Sequence, residues 1–210
     1  MAVTKDWQAW HELYADATSP LSQRLRLVQR HIGMWLDDRQ GEALTAVSAC
    51  AGQGHDLLGV LATRADAHRV RATLLEGDER NVAAAQTAAA DLPNVKVVQV
   101  DAGDLAAYVG AVPADLVLTA GVFGNLSDAD VHRSIHALPQ FCASGATVIW
   151  TRSRRAPDLT PTVRCWLKEA GFVEQAFHEP DGVVFSVGVH RFAGDPVPLS
   201  APGRLFQFLT

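Results

Sequence analysis

Between residues 44 and 151 the chain alternates short apolar, β-branched runs with longer segments of helical spacing, the pattern of βαβ units around a parallel sheet. It predicts strands over 44–48, 72–76, 95–100, 116–119 and 146–151, helices over 53–65, 79–90 and 127–138, and a short crossover at 105–108. Pro93, Pro113, Pro139 and Gly145 fall where these elements should break. Ser127 stands as N-cap before Asp128 and Asp130, whose charges suit a helix N-terminus. A helix over 160–170 follows, with Pro161 in its first turn and Gly171 just past its end. Strands over 173–177 and 183–191 complete the pattern. Only 178–182 separate them, too little for a crossover helix, so they pair antiparallel.

Ahead of the first strand lies an amphipathic stretch with Trp7, Trp10, Tyr14, Leu21, Leu25, Leu27, Val28, Ile32 and Trp35. It predicts two helices broken at 16–20, where Ser19 can cap and Pro20 occupies the first helical position. The division expected is a helical lid or cap over 1–40 and one compact unit over 41–210.

Composition narrows the class. A chain of 210 residues with 48% hydrophobic and 20% charged residues suits a single soluble domain. A net charge of −5 gives no general attraction to nucleic acid, which makes such a partner unlikely. The N-terminal residues are polar and no apolar run reaches membrane-spanning length, so a cytoplasmic protein without membrane contact is expected, as monomer or homodimer. Cys50, Cys142 and Cys165 are widely spaced without a CxxC pair, which points to neither a disulfide framework nor a metal site. Arg152, Arg154 and Arg155 after the fifth strand read either as a solvated loop or as a patch for an anionic substrate.

The chemistry gathers at strand ends. The first strand runs into Ser48-Ala49-Cys50-Ala51-Gly52-Gln53-Gly54 directly before a helix, a turn of small residues that lets a ligand approach the backbone at a helix N-terminus. About twenty residues on, the second strand ends in Glu76-Gly77-Asp78, where a carboxylate can accept both hydroxyls of a ribose. The third strand leads into Asp101-Ala102-Gly103, again an acid followed by a small residue. In a parallel sheet all three meet at the crevice where ligands bind.

On these residues the segment 44–151 resembles the cofactor half of class I S-adenosylmethionine-dependent methyltransferases, and the terminal antiparallel pair is similar to that family's last-strand insertion. The resemblance implies a Rossmann-like three-layer α/β sandwich: a mostly parallel seven-stranded sheet with an antiparallel last strand, plus N-terminal helices. It implies S-adenosyl-L-methionine as cofactor. Ala49, Cys50, Ala51, Gly52 and Gly54 would wrap its amino-acid part, Glu76 would hold the ribose, and Gly77 and Asp78 would lie beside the adenosine. Asp101 would receive the adenine amino group, with the Ala102 backbone against the ring. Ala120, Gly121 and Asn125, in the loop after the fourth strand, would pass under the methionine moiety, with Phe123 and the lid residue Tyr14 facing the acceptor. Two positions depart from the family pattern: Ser48 stands where an acid is common and Cys50 where the first glycine often is.

Methyl transfer from a sulfonium needs alignment above all, and a base only for some acceptors. His11, His55 and His178 are the candidate bases. The expected partner is a small-molecule methyl acceptor. Three alternatives stay open: a nucleic-acid methyltransferase, an NAD(P)-dependent oxidoreductase and a non-catalytic cofactor-binding protein. The loop after the fourth strand lacks the Asn-Pro-Pro-Tyr type of motif, which counts against base methylation. Gly52 and Gly54 are followed by His55, Asp56 and Leu57, so the third glycine of a dinucleotide fingerprint is missing.

Overall fold

The central strands carry apolar residues at successive positions because both of their faces are covered. In the computed structural model, which describes Tyr14 and residues 16–209, seven strands form one sheet in the order β3-β2-β1-β4-β5-β7-β6. They are β1 (Leu44–Ala49), β2 (Val70–Glu76), β3 (Val95–Gln99), β4 (Ala114–Thr119), β5 (Cys142–Ser153), β6 (Phe172–His178) and β7 (Phe185–Phe192). Strands β1 to β5 are parallel, and β7 runs antiparallel to both β5 and β6. The sheet therefore matches the expected architecture, with its order reversing between β1 and β4.

Helices α1 (Pro20–Asp37), α2 (Leu57–Leu61) and α3 (Glu79–Ala88) lie over one face, and α4 (Asp128–Ala137) and α5 (Thr160–Glu169) over the other. Alternate strand residues serve the two cores: Ala46, Leu74, Leu116 and Ile149 pack toward α1 and α2, whereas Val47, Leu75, Val117 and Val148 pack toward α4 and α5. In α1 the buried Val28, Ile32, Trp35 and Leu36 form an apolar stripe at helical spacing. The Ser19 side chain accepts from the Ser22 amide at 3.1 Å, and Pro20 starts the helix. Ser127 caps α4 in the same way through the Asp130 amide. No helix among the described residues is long and apolar enough to cross a membrane. The earlier of the two N-terminal helices expected falls mostly outside the described residues.

Two elements differ from the sequence pattern. The helix expected over 53–65 is only Leu57–Leu61. Its front is lost because Gly52 and Gly54 adopt φ of 58° and 76°, and helix begins only where the Asp56 carboxylate accepts from the Leu57 amide. Its rear is lost to tight turns, in which the Thr63 and Arg64 amides donate to Val60 and Leu61, and Arg64 is drawn to Asp66 and Asp37. β5 starts earlier than its apolar run, since Cys142 already pairs with Ala114 before a register shift.

At the outer end of the sheet β7 is shaped around one indole. A methyl group on Gly188 would meet the Trp150 ring at 2.3 Å, so only glycine admits that side chain from β5. The Trp150 Nε1–H donates to His190 Nδ1 at 3.2 Å, leaving the opposite ring nitrogen of His190 3.7 Å from Glu174. Burial pulls the His190 pKa down from 6.5 to about 4, against the raising effect of Glu174. The folded chain thus resists a proton that the unfolded chain accepts below 6.5. Stability from this site is full above that pH and falls as the pH drops toward about 4, by on the order of 3 kcal/mol in all. Urea titrations across this range should show that loss, and His190→Gln, which keeps an acceptor for the indole, should flatten it.

Candidate functional site

The turn after β1 is held in place by one carboxylate. Cys50, Gly52 and Gly54 have φ of 50°, 58° and 76°, which lifts the chain over the carboxyl edge of the sheet. A Cβ on Gly54 would lie 2.5 Å from Leu58 and 2.9 Å from Leu74, so close packing of α2 on β2 requires glycine as much as the backbone angle does. Glu76, at the end of β2 and buried, accepts from the Gly52 amide at 2.7 Å through Oε2 and from the Asp78 amide at 2.8 Å through Oε1. One side chain thereby ties the β1 turn to the β2 turn. A carboxylate has about four acceptor sites, so each oxygen keeps capacity for a further donor.

Around Glu76 opens a cleft at the point where the strand order reverses, the usual ligand position of such sheets. Cys50, Ala51, Ala120 and Gly121 line it from the ends of β1 and β4, His55, Asp56 and Asn81 from the helix starts, and Tyr14, Arg24, Leu25 and Val28 from the N-terminal side. Phe208 reaches it from the C-terminal segment. The Tyr14 ring meets His55 edge-on at 5.0 Å, and the Tyr14 hydroxyl accepts from Arg24 at 3.2 Å. Burial pushes the Tyr14 hydroxyl up, opposed by the Arg24 charge. Burial, reinforced by the Glu76 and Asp101 carboxylates, drives the Cys50 thiol far up, which keeps it protonated and unreactive. Gln29 donates to the His55 carbonyl at 2.8 Å and fixes the backbone there.

Of the residues expected at the site, Cys50, Ala51, Glu76, Ala120, Gly121, Tyr14 and His55 line the cleft, with Ala49, Gly52 and Gly54 in the supporting turn. Gly77 is exposed beside it. Asp78 caps α3 through the Arg80 amide and pairs with the Arg80 side chain at 2.9 Å, which holds its carboxyl below the usual range. Asn125 acts within its loop, donating to the Gly121 carbonyl at 2.7 Å. Ala102 is buried, and its carbonyl accepts from Tyr108 at 2.9 Å. Asp101 accepts from the Gly103 amide at 2.8 Å and pairs with Arg204 at 2.7 Å.

Other expectations need correction. Phe123 does not face an acceptor: it is fully buried, with its ring 6.2 Å from Trp150. His178 is turned to His31, the two Nε2 atoms 2.7 Å apart, and does not line the cleft. His11 lies outside the described residues. Arg152 donates to the Phe123 carbonyl and pairs with Asp128 at 3.6 Å, while Arg154 donates to the Val183 carbonyl at 2.9 Å and pairs with Glu179 at 3.7 Å. These two arginines fasten loops and form no anion patch. Among the described residues no group of three side chains could hold a metal ion.

Arg24, Asn81 and Phe208 are cleft residues that sequence reading missed. Arg24 had a signal, since it precedes Val28 by one helical turn on the stripe facing the site. Phe208 had none, because the segment after β7 has no periodic pattern.

The double bond to Glu76 has a measurable consequence without any ligand. Glu76→Gln keeps one acceptor oxygen but turns an amide NH2 toward either the Gly52 or the Asp78 amide. Loss of that buried bond should cost about 1–3 kcal/mol in urea unfolding. An unchanged unfolding midpoint would contradict the anchoring role.

No protein-family model matches the sequence, and no curated protein matches it. Solved structures do match the fold. The N-methyltransferase NodS from Bradyrhizobium japonicum, in complex with S-adenosyl-L-homocysteine, superposes with a TM-score of 0.64 at 17% identity, over 90% of this chain and 98% of NodS. A TehB-like S-adenosylmethionine-dependent methyltransferase from Corynebacterium glutamicum gives 0.60 at 16% identity, over 87% and 94%. Fibrillarin from Aeropyrum pernix, with natively bound S-adenosyl-L-methionine, gives 0.58 at 14% identity, over 71% and 66%. The likeness to NodS and to the TehB-like protein extends over most of each chain, and with it the chain has the fold of the class I S-adenosylmethionine-dependent methyltransferases.

Proposed function

We propose that the chain transfers a methyl group from S-adenosyl-L-methionine to a small-molecule acceptor. The observation that carries this reading is Glu76: a buried carboxylate with spare acceptor capacity at the end of β2, opening into a cleft floored by small residues. Such a group suits a vicinal diol, which presents two hydroxyl donors at matching spacing. The turn over 49–54 suits the amino-acid end of the same ligand because Cys50 and Ala51, with small side chains, line the cleft there. Asp101, just past β3 and next to β2 in the sheet order, is assigned the adenine amino group.

When bound, the cofactor supplies an activated methyl group on a sulfonium that departs as a neutral thioether. The chain's own residues align and enclose. Leu25, Val28 and Phe208 exclude water from the cleft walls, and Tyr14 is assigned the lid position on its N-terminal side. Of the two candidate bases among the described residues, His55 lines the cleft and His178 does not, so His55 is assigned the proton of an N–H or O–H acceptor. A small acceptor is favoured over nucleic acid by the negative net charge and by Asp56 and Glu76 in the cleft, which repel phosphate.

Calorimetry with S-adenosylhomocysteine, S-adenosylmethionine and NAD tests this reading. The sulfur nucleosides should bind and NAD should not. Glu76→Ala should weaken the nucleosides by about 1.5–3 kcal/mol, roughly 10- to 150-fold. Binding of NAD with no binding of either sulfur nucleoside would overturn the reading.

A further inference from the structure

After β7 the chain returns across the carboxyl ends of the strands as a strap. Its backbone is stitched to the loop following β3: the Leu105 amide donates to the Gly203 carbonyl and the Leu205 amide to the Gly103 carbonyl, each at 2.8 Å. The fit is close, for a Cβ on Gly103 would lie 2.4 Å from the Phe206 carbonyl oxygen. Leu205 and Phe206 are buried, and the Leu209 amide donates to the Asn125 carbonyl at 2.9 Å. Arg133 adds a bond to the Leu205 carbonyl at 3.1 Å. The strap is therefore anchored by its backbone and its apolar residues.

Arg204 sits among these anchors and contributes to none of them through its side chain. Its guanidinium reaches back to Asp101 Oδ2 at 2.7 Å, while Asp101 Oδ1 is taken by the Gly103 amide. Both side chains of the pair are half-exposed, 50% for Arg204 and 57% for Asp101. An exposed pair of this kind is weak and sensitive to salt. It can exchange its partner without disturbing the strap.

We propose that Arg204 and the purine end of the ligand compete for Asp101, so that Arg204 sets the affinity and the purine preference of the cleft. The inference rests on the proposed function, in which Asp101 receives an exocyclic amine. Binding of an adenine nucleoside moves the Arg204 side chain to solvent and leaves Oδ2 to the ligand amine. A 6-oxo purine puts an acceptor where the exocyclic amine would meet Oδ2, its N1–H donor lying one ring position away, so at that position it has no donor with which to displace the guanidinium.

The test is calorimetry of the full chain with S-adenosylhomocysteine and its 6-oxo analogue, S-inosylhomocysteine. Arg204→Gln should bind S-adenosylhomocysteine more tightly, on the order of two- to fivefold, while the 6-oxo analogue shows no such gain. In the unaltered chain, raising salt to about 0.3 M should tighten S-adenosylhomocysteine relative to its effect on Arg204→Gln, because screening weakens the competing pair. Equal or weaker binding by the variant, or the same gain for both purines, would overturn the inference. If the unaltered chain binds neither S-adenosylhomocysteine nor S-adenosylmethionine, the proposed function itself falls. Binding with no effect of Arg204 removes only the competition.

Discussion

The arrangement of the site depends on a single buried carboxylate. Glu76 accepts one backbone amide from the turn after β1, whose Cys50 and Ala51 line the cleft, and one from the turn after β2. A buried carboxylate must be compensated by donors, and here the backbone supplies them at fixed positions. The bond from Gly52 helps hold the glycine turn in a left-handed geometry that would otherwise be unfavourable for Cys50. Placement of the turn and readiness of the carboxylate for a ligand are thus one physical fact.

The rest of the fold presents that junction. Strand-order reversal between β1 and β4 leaves a crevice that no crossover helix covers. Gly54 permits α2 to close on β2, and Gln29 ties α1 to the His55 backbone, so the N-terminal side of the cleft is fixed to the turn. From the opposite side the C-terminal strap brings Phe208 to the cleft and Arg204 to Asp101. Segments at both ends of the described chain converge on a site whose floor belongs to its central strands.

The sheet was legible because strands buried on both faces read as continuous apolar runs, and the antiparallel end followed from the brevity of 178–182. Cap residues were equally legible, as Ser19 and Ser127 show, since their chemistry is local. What failed depended on distant partners. The rear of the helix after Gly54 is lost where Arg64 turns toward Asp37 and Asp66. Phe123 reads as a loop aromatic until Trp150 from β5 is known to lie beside it. His178 pairs with a histidine on α1 that no spacing connects to it. The strap, with few regular elements and many long-range bonds, left no periodicity to read.

The central claim is that Glu76 binds the ribose while still holding the turn. A crystal structure with S-adenosylhomocysteine tests both halves at once. The account predicts both ribose hydroxyls within about 2.6–3.2 Å of the Glu76 carboxylate, with the bond from the Gly52 amide retained. A nucleoside seated elsewhere, or a Glu76 side chain turned away from Gly52 to reach it, would contradict the account.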